Sequence, residues 1–253
     1  MRMFFRKLHR WLGLLMAVQI IAWMASGLYF SIFPIGEIRG EHLTRQAPAP
    51  DVDALTRLGS PLAVKQALDR HLGRDWELET LKVVSKDEHL QWRVEGRKGT
   101  QYFRRLLNDA GTDVIPALSA EQVAQAARVW LVLPAEPAAV EWVESTGPGA
   151  EYRGRYFPVW KVSFDEPESL SLYLEPWTGE ILARRTSRWR VFDFLWMLHI
   201  MDFDTRDDFN HPLLQAASVL GLIIALSGVI FWAMTTSLFR KKRLRRAAAK
   251  RVG

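Results

Sequence analysis

"HPLLQAASVLGLIIALSGVIFWAMTTSLF", residues 211–239, contains no Asp, Glu, Lys or Arg. A helix needs about 20 apolar residues to cross roughly 30 Å of hydrocarbon, and this run exceeds that length. A second uncharged run, "LGLLMAVQIIAWMASGLYFSIF", covers residues 12–33. Two transmembrane helices are therefore expected. The near-zero mean hydropathy of the chain averages them with a polar segment between. Basic residues precede the first run, as they would in a signal peptide. Its apolar core is longer than the roughly 7–15 residues of a signal h-region, and "GLYFSIFPIGE" offers no small-x-small cleavage site, so the helix is read as retained.

Charge then sets orientation. Arg2, Arg6, Lys7 and Arg10 precede the first run, and eight basic residues from Arg240 to Arg251 follow the second. Positive flanks stay cytoplasmic, which puts both termini inside and residues 35–208 or so outside. The two tails hold 12 of the 34 basic residues and none of the 28 acidic ones, leaving 22 positive against 28 negative charges elsewhere. The basic character belongs to the tails, where anionic lipid headgroups account for it, and nucleic acid is not an expected partner. The chain has no cysteine. That excludes disulfides, thiolate-held iron–sulfur clusters and covalently attached c-type haem, leaving histidine, carboxylate or methionine for any metal.

The outer segment runs through one programme twice. "SPLAVKQALDRHL" (60–72) opens with Ser60 as N-cap and Pro61 at the first helical position. The strand-like stretches "LETLKVVS", "LQWRVEGR" and "QYFRRLLNDAGTDVI" follow. "SAEQVAQAARVW" (119–130) opens the second copy, Ser119 capping with Glu121 and Gln122 in its first turn. Its strands are "AAVEWVES", "FPVWKVSFD" and "SLSLYLEPWTGEILARR". "LLNDAGTDVI" and "YLEPWTGEIL" both break a β run at a glycine and resume it, the signature of a hairpin. Alternation turns Trp92 with Val94, and Trp160 with Val162, toward their helix.

A helix followed by strands that end in "YLEPWTGEIL" resembles the PepSY domain. "FFRKLHRWLGL" (4–14), with His9, Arg10, Trp11 and Gly13, and "WMLHIMDF" (196–203) resemble the PepSY-associated transmembrane family. That family includes bacterial iron-regulated membrane proteins and siderophore-iron reductases. Hydropathy, repeats and resemblance together give an α+β membrane protein in which two transmembrane helices flank a periplasmic domain of two helix-plus-three-strand antiparallel, PepSY-like repeats. The divisions are residues 1–34 (basic N-terminus and first span), 35–59 (linker), 60–117 and 118–187 (repeats), 188–210 (outer interfacial helix and loop), 211–239 (second span) and 240–253 (basic tail). Larger family members carry four spans, so a complete electron path here calls for a second subunit.

Of six histidines, His42, His71 and His89 sit in polar contexts without metal-ligand spacing and are read as solvated. His9, His199 and His211 lie at membrane boundaries. His9 is either an interfacial anchor or a haem ligand. Gly13 lies one turn away on its face and Gly27 about four turns further, where glycine admits either a flat macrocycle or a neighbouring helix. "WRVFDFLWMLHIMDF" (189–203) is too short to span and reads as an amphipathic helix lying in the outer interface, with Phe192, Leu195, Trp196 and His199 on one face. His199 there needs a partner, either iron, a carbonyl or water. His211 precedes Pro212 and reads as an N-cap, free either to close over a haem edge or only to cap. His199 and His211 share a leaflet. His9 lies about 30 Å away in the other, and its mate would be Met234 or, better, a residue of a neighbouring chain. The small-residue stripe Gly221, Ala225, Gly228 and Trp232 fits a homodimer or a partner membrane subunit.

Three functions are compatible with these residues. One is b-type haem electron transfer across the bacterial inner membrane, held by His9, His199 and His211 with Gly13. By the resemblance, its periplasmic acceptor would be ferric iron in a siderophore or another chelate, which would make the chain a ferric or siderophore reductase or a subunit of one. Another is a non-catalytic, membrane-anchored binding or inhibitory module. The third is an accessory subunit of a larger oxidoreductase.

Overall fold

The computed structural model describes residues 2–47, 52–86, 89–153 and 156–235. The basic tail at 240–253 lies outside the described residues. The chain forms two compact units, one of residues 36–189 and one that joins residues 1–35 to 190–253.

The central unit is built from helices laid on antiparallel sheets. Helix α1 (Arg2–Ile32) and the single-turn α2 (Ile35–Ile38) precede it or open it, and α3 (Pro61–Leu72) is its first full helix. Ser60 is extended and its side chain accepts from the Ala63 amide at 3.2 Å, with Pro61 at the first position, the start expected from the sequence. Strands β1 (Glu77–Lys86), β2 (His89–Lys98), β3 (Gln101–Leu107) and β4 (Val114–Ile115) follow and pair in chain order. Helix α4 (Ala120–Trp130) opens with a full capping box between Ser119 and Gln122. Strands β5 (Ala139–Val143), β6 (Val159–Ser163), β7 (Ser171–Leu174) and β8 (Ile181–Arg185) form a second sheet, again in chain order. The expectation of three strands per unit is corrected to four, because each stretch that resumes after Gly111 or Gly179 returns as a strand of its own.

Both closing turns follow one plan. Asn108 Oδ1 accepts from the Thr112 and Asp113 amides at 2.9 and 3.2 Å, and Glu175 Oε2 accepts from the Trp177 and Thr178 amides at 2.8 and 2.7 Å. Gly111 (φ 71°) and Gly179 (φ 72°) take the left-handed conformation that such a return requires. At Gly111 a side chain would also strike Val64, since a Cβ there would lie 2.6 Å from Val64 Cγ2.

Strand alternation sets the core. Trp92 and Val94 of β2, with Phe103 and Leu107 of β3, close on Val64, Ala67 and Leu68 of α3. Val162, Leu172 and Leu174 close on Val123 and Ala127 of α4, with Trp160 packed at the margin. The second sheet is covered on its other face too, where Tyr152 packs with Val159, Tyr173 and Ala183, so all of β7 is buried. The stretch after α2 is woven into this unit: Arg45 N donates to Trp130 O, Val132 N to Leu43 O, and Thr186 Oγ1 to Ile38 O.

The other unit is helical, comprising α1, α5 (Ser187–Ile200) and α6 (Pro212–Thr235). Arg10–Ile32 and Pro212–Ile230 are long and apolar enough to cross a membrane, yet only 11% and 6% of them is buried within the protein. The core helix of a soluble protein would show the reverse, so these surfaces require an apolar solvent. Where α1 meets α6, a Cβ on Gly221 would lie 3.2 Å from Met16 Cε and 3.8 Å from Trp23 Cζ3. Gly221 is thus engaged inside the chain, whereas Gly228 faces open space.

Candidate functional site

The site begins with three backbone carbonyls. The last turn of any helix leaves its C=O groups without helical donors. In α5 those of Leu198, His199 and Ile200 each accept from a distant side chain. Gln19 Nε2 reaches Leu198 O at 3.1 Å, and Trp23 Nε1 reaches His199 O at 2.7 Å. Since a carbonyl can only accept, His211 Nε2 donates to Ile200 O at 2.9 Å. Two side chains of α1 and His211 thereby close one helix end.

The imidazole of His199 faces the same stripe of α1. Its Nδ1 lies 2.6 Å from Ser26 Oγ, and Ser26 Oγ lies 2.7 Å from Ala22 O. A hydroxyl has one proton. Giving it to Ala22 O leaves Oγ as acceptor for Nδ1–H, the arrangement that satisfies both contacts. His199 then carries its proton on Nδ1 and keeps a lone pair on Nε2, which has no hydrogen bond among the described residues. Burial pushes the ring's proton affinity below the ordinary histidine range, favouring this neutral form.

Aromatic packing holds the ring in place. Phe30 sits with its centroid 4.7, 6.3 and 5.7 Å from those of Phe192, Trp196 and His199. Trp196 and His199 are parallel to within 2°. Phe192, Trp196 and His199 therefore share one face of α5, as their spacing predicts. That face lies along the side of α1. Its partners on α1 run from Gln19 to Phe30, about 16 Å of helix axis, and Phe30 touches Phe192, Trp196 and His199 alike. The aromatic face expected of this short helix thus bears on side chains of the first span. Polar side chains inside α1 offer partners that a lipid surface lacks.

The loop after α5 is held by side-chain bonds of its own. Asp193 is buried and pairs with Arg206 Nη1 at 2.6 Å, and Trp196 Nε1 donates to Arg206 O at 3.1 Å. Asp202 accepts from the Asp204, Thr205, Asp207 and Asp208 amides, each at 3.1 Å, and from the Thr205 hydroxyl. Partial desolvation opposes its ionisation, but these bonds outweigh that and hold its carboxyl well below the usual range.

The predicted residues divide on this geometry. His199 and His211 meet at the end of α5, one through its ring and main chain, the other through a bond to the next residue. His9 and Gly13 lie one turn apart on α1, and a side chain at Gly13 would meet nothing within 4 Å. The side chains of His9 and Met234 lie outside what the structure describes. Gln19, Trp23 and Ser26 were not predicted. Their signal was present, since Gln19 and Ser26 are polar interruptions of an apolar run, two turns apart and on one face with Trp23.

A family model described as the PepSY-associated TM region matches residues 54–252, the whole described chain after α1 and the segment that follows it. No curated protein and no solved structure matches the chain.

Proposed function

The chain belongs to the PepSY-associated transmembrane family, and from that premise we propose that it is a b-type haem membrane protein passing electrons across the bacterial inner membrane to a periplasmic acceptor such as ferric siderophore iron. In this reading both termini are cytoplasmic and the two-sheet unit, read as two PepSY-like repeats, is periplasmic. The observation that carries it is the Ser26–His199 contact at 2.6 Å. A histidine ligand to iron binds through one nitrogen while a hydrogen bond fixes the other. Ser26 supplies that bond to Nδ1, and Nε2 is left with its lone pair.

The residues present fit one histidine ligand to iron. His199 would hold the iron through Nε2, Ser26 would keep the ring in the ligating tautomer, and Trp23 and Gln19 would fix the backbone that carries it. Phe30 and Trp196 exclude water beside the ring. His211 already uses Nε2 on Ile200 O, which leaves Nδ1 for any ligation and makes it a tie for the loop. Bound haem would supply one-electron transfer, set in potential by its axial ligands and its burial. A further ligand, and the mate for His9 beside Gly13, would come from another chain, either a second copy or a partner membrane subunit.

Protein purified from haem-replete cells should show a Soret band that shifts on dithionite reduction, and the reduced form should be reoxidised by a ferric chelate. His199→Ala should lower the haem content per chain, and Ser26→Ala should keep haem but alter its potential. A colourless wild-type preparation would end this reading.

One observation favours a second reading, an anchored non-catalytic binding module or accessory subunit. His199 and His211 both serve in closing α5 through contacts that need no cofactor. If that is their whole role, His199→Ala leaves partner binding intact and the purified protein carries no haem.

A further inference from the structure

The central unit contains a cleft of about 440 Å³, separate from the helical site. Its lining includes the aromatic rings of Tyr102, Trp142, Phe157 and Trp177. Two adjacent arginines reach it, and their surroundings differ. Arg104 is buried and balanced by Glu95 at 2.9 Å and Glu175 at 3.7 Å. Arg105 is half-buried, its one side-chain bond among the described residues goes to a backbone carbonyl with no carboxylate paired to it, and burial pushes its proton affinity down. A guanidinium stays charged regardless, so the uncompensated charge is a standing cost in such a wall.

The contact that Arg105 does make limits the class of ligand. Beyond Leu106 and Leu107, which pair with β4, strand β3 has an open edge. Backbone alternation turns the N–H and C=O of Arg104 toward that edge, as it does those of Leu106. A peptide adding as a further strand would need Arg104 O, but Arg105 Nη1 already donates to it at 2.8 Å. The remaining guanidinium N–H groups are still available. The cleft volume falls in the range of small-molecule sites, roughly 300–1,000 Å³.

We propose that this cleft binds a small organic anion, a carboxylate on an aromatic-sized apolar body, with Arg105 as the anion clamp and the tryptophans as the walls. The rest of the chain outside the basic tails carries 22 positive against 28 negative charges, so general attraction does not draw anions here; a local clamp must. The inference stands whether or not the helical unit binds haem.

The test uses the full-length protein in nanodiscs of zwitterionic lipid, with empty nanodiscs as reference. 2-Naphthoate and its neutral counterpart 2-naphthylmethanol are titrated by ligand-observed NMR. The acid should bind at least about tenfold more tightly than the alcohol, the scale of a charge-assisted bond. Arg105→Gln should erase that preference, and Arg128→Gln, outside the cleft, should keep it. Ala117→Phe, which fills the cleft and leaves Arg105 in place, should abolish binding of both. Equal affinity for the two probes in the wild type, no binding at all, or an undiminished preference in Arg105→Gln overturns the proposal. Should Arg105→Gln fail to fold, Ala117→Phe decides, and naphthoate binding that survives it overturns the proposal equally.

Discussion

The central unit and the helical unit solve opposite packing problems. In the central unit Leu172, Leu174 and Val162 are fully buried, and apolar area removed from water is the main stabilising term. In the helical unit Met24 and Ile21 are each 67% exposed, while Ser26 is fully buried. Lipid tails are as apolar as leucine, so burying leucine between spans gains little there. Specific contacts fall instead to Gln19, Trp23, Ser26 and His211, whose unpaired polar groups would be costly in hydrocarbon. The polar residues of the spans are therefore the place to look for structure and function together.

Four measurements would break or sharpen that contrast. The largest effect is expected at Glu175, which is buried, pairs with Arg104 and accepts the Trp177 and Thr178 amides. Glu175→Ala should cost the central unit about 3–5 kcal/mol in denaturant unfolding followed by tryptophan fluorescence, since it leaves the Trp177 and Thr178 amides of a buried turn without an acceptor and Arg104 with Glu95 alone. A loss below 1 kcal/mol would mean that water reaches the amides of the turn.

Next come paired truncations of similar volume. Leu172→Ala should cost about 2–5 kcal/mol, and lipid-facing Met24→Ala should stay within about 0.5 kcal/mol. Comparable losses at both would show that the α1 surface is packed against protein and not against lipid.

Trp23→Phe removes the donor to His199 O while keeping an aromatic ring beside Gly221. The expected cost is about 1 kcal/mol, read as faster hydrogen exchange at the end of α5 in nanodiscs. Unchanged exchange there would mean that this helix end is held by other bonds.

The smallest effect concerns pH. His199 is held neutral by burial, so its folded value lies below the ordinary one near 6.5. Between those values the unfolded chain binds the proton first. Thermal stability of the helical unit should therefore fall as pH drops from about 6.5 through the folded value, with no contribution from this group above 6.5. His199→Gln should flatten that slope. A slope that persists in the variant belongs to another group.

How much was legible in advance depended on the range of the interaction. Ser60 with Pro61 and Ser119 with Gln122 announce helix starts because capping is settled within four residues, and the structure places both caps as read. Gly111 and Gly179 announce turns for the same reason. The fourth strand of each sheet was folded into its predecessor, because β4 has only two residues and strand count depends on register, not on local pattern. In the helical unit the face of α5 bearing Phe192, Trp196 and His199 followed from the 3.6-residue period. The surface that this face meets did not follow.

The amino-acid order alone determined two uncharged spans with basic flanks, two caps, two glycine turns and a histidine on an aromatic face. Each of these rests on composition or spacing within a few turns of chain. Tertiary structure decided that α5 packs along α1, that Ser26 holds Nδ1 of His199, and that Arg105 lacks the carboxylates that balance Arg104. Such pairings join residues as far as 179 positions apart. Which distant donor finds which carbonyl or ring nitrogen is set only when the helices and sheets have closed and every buried polar group has to find a partner.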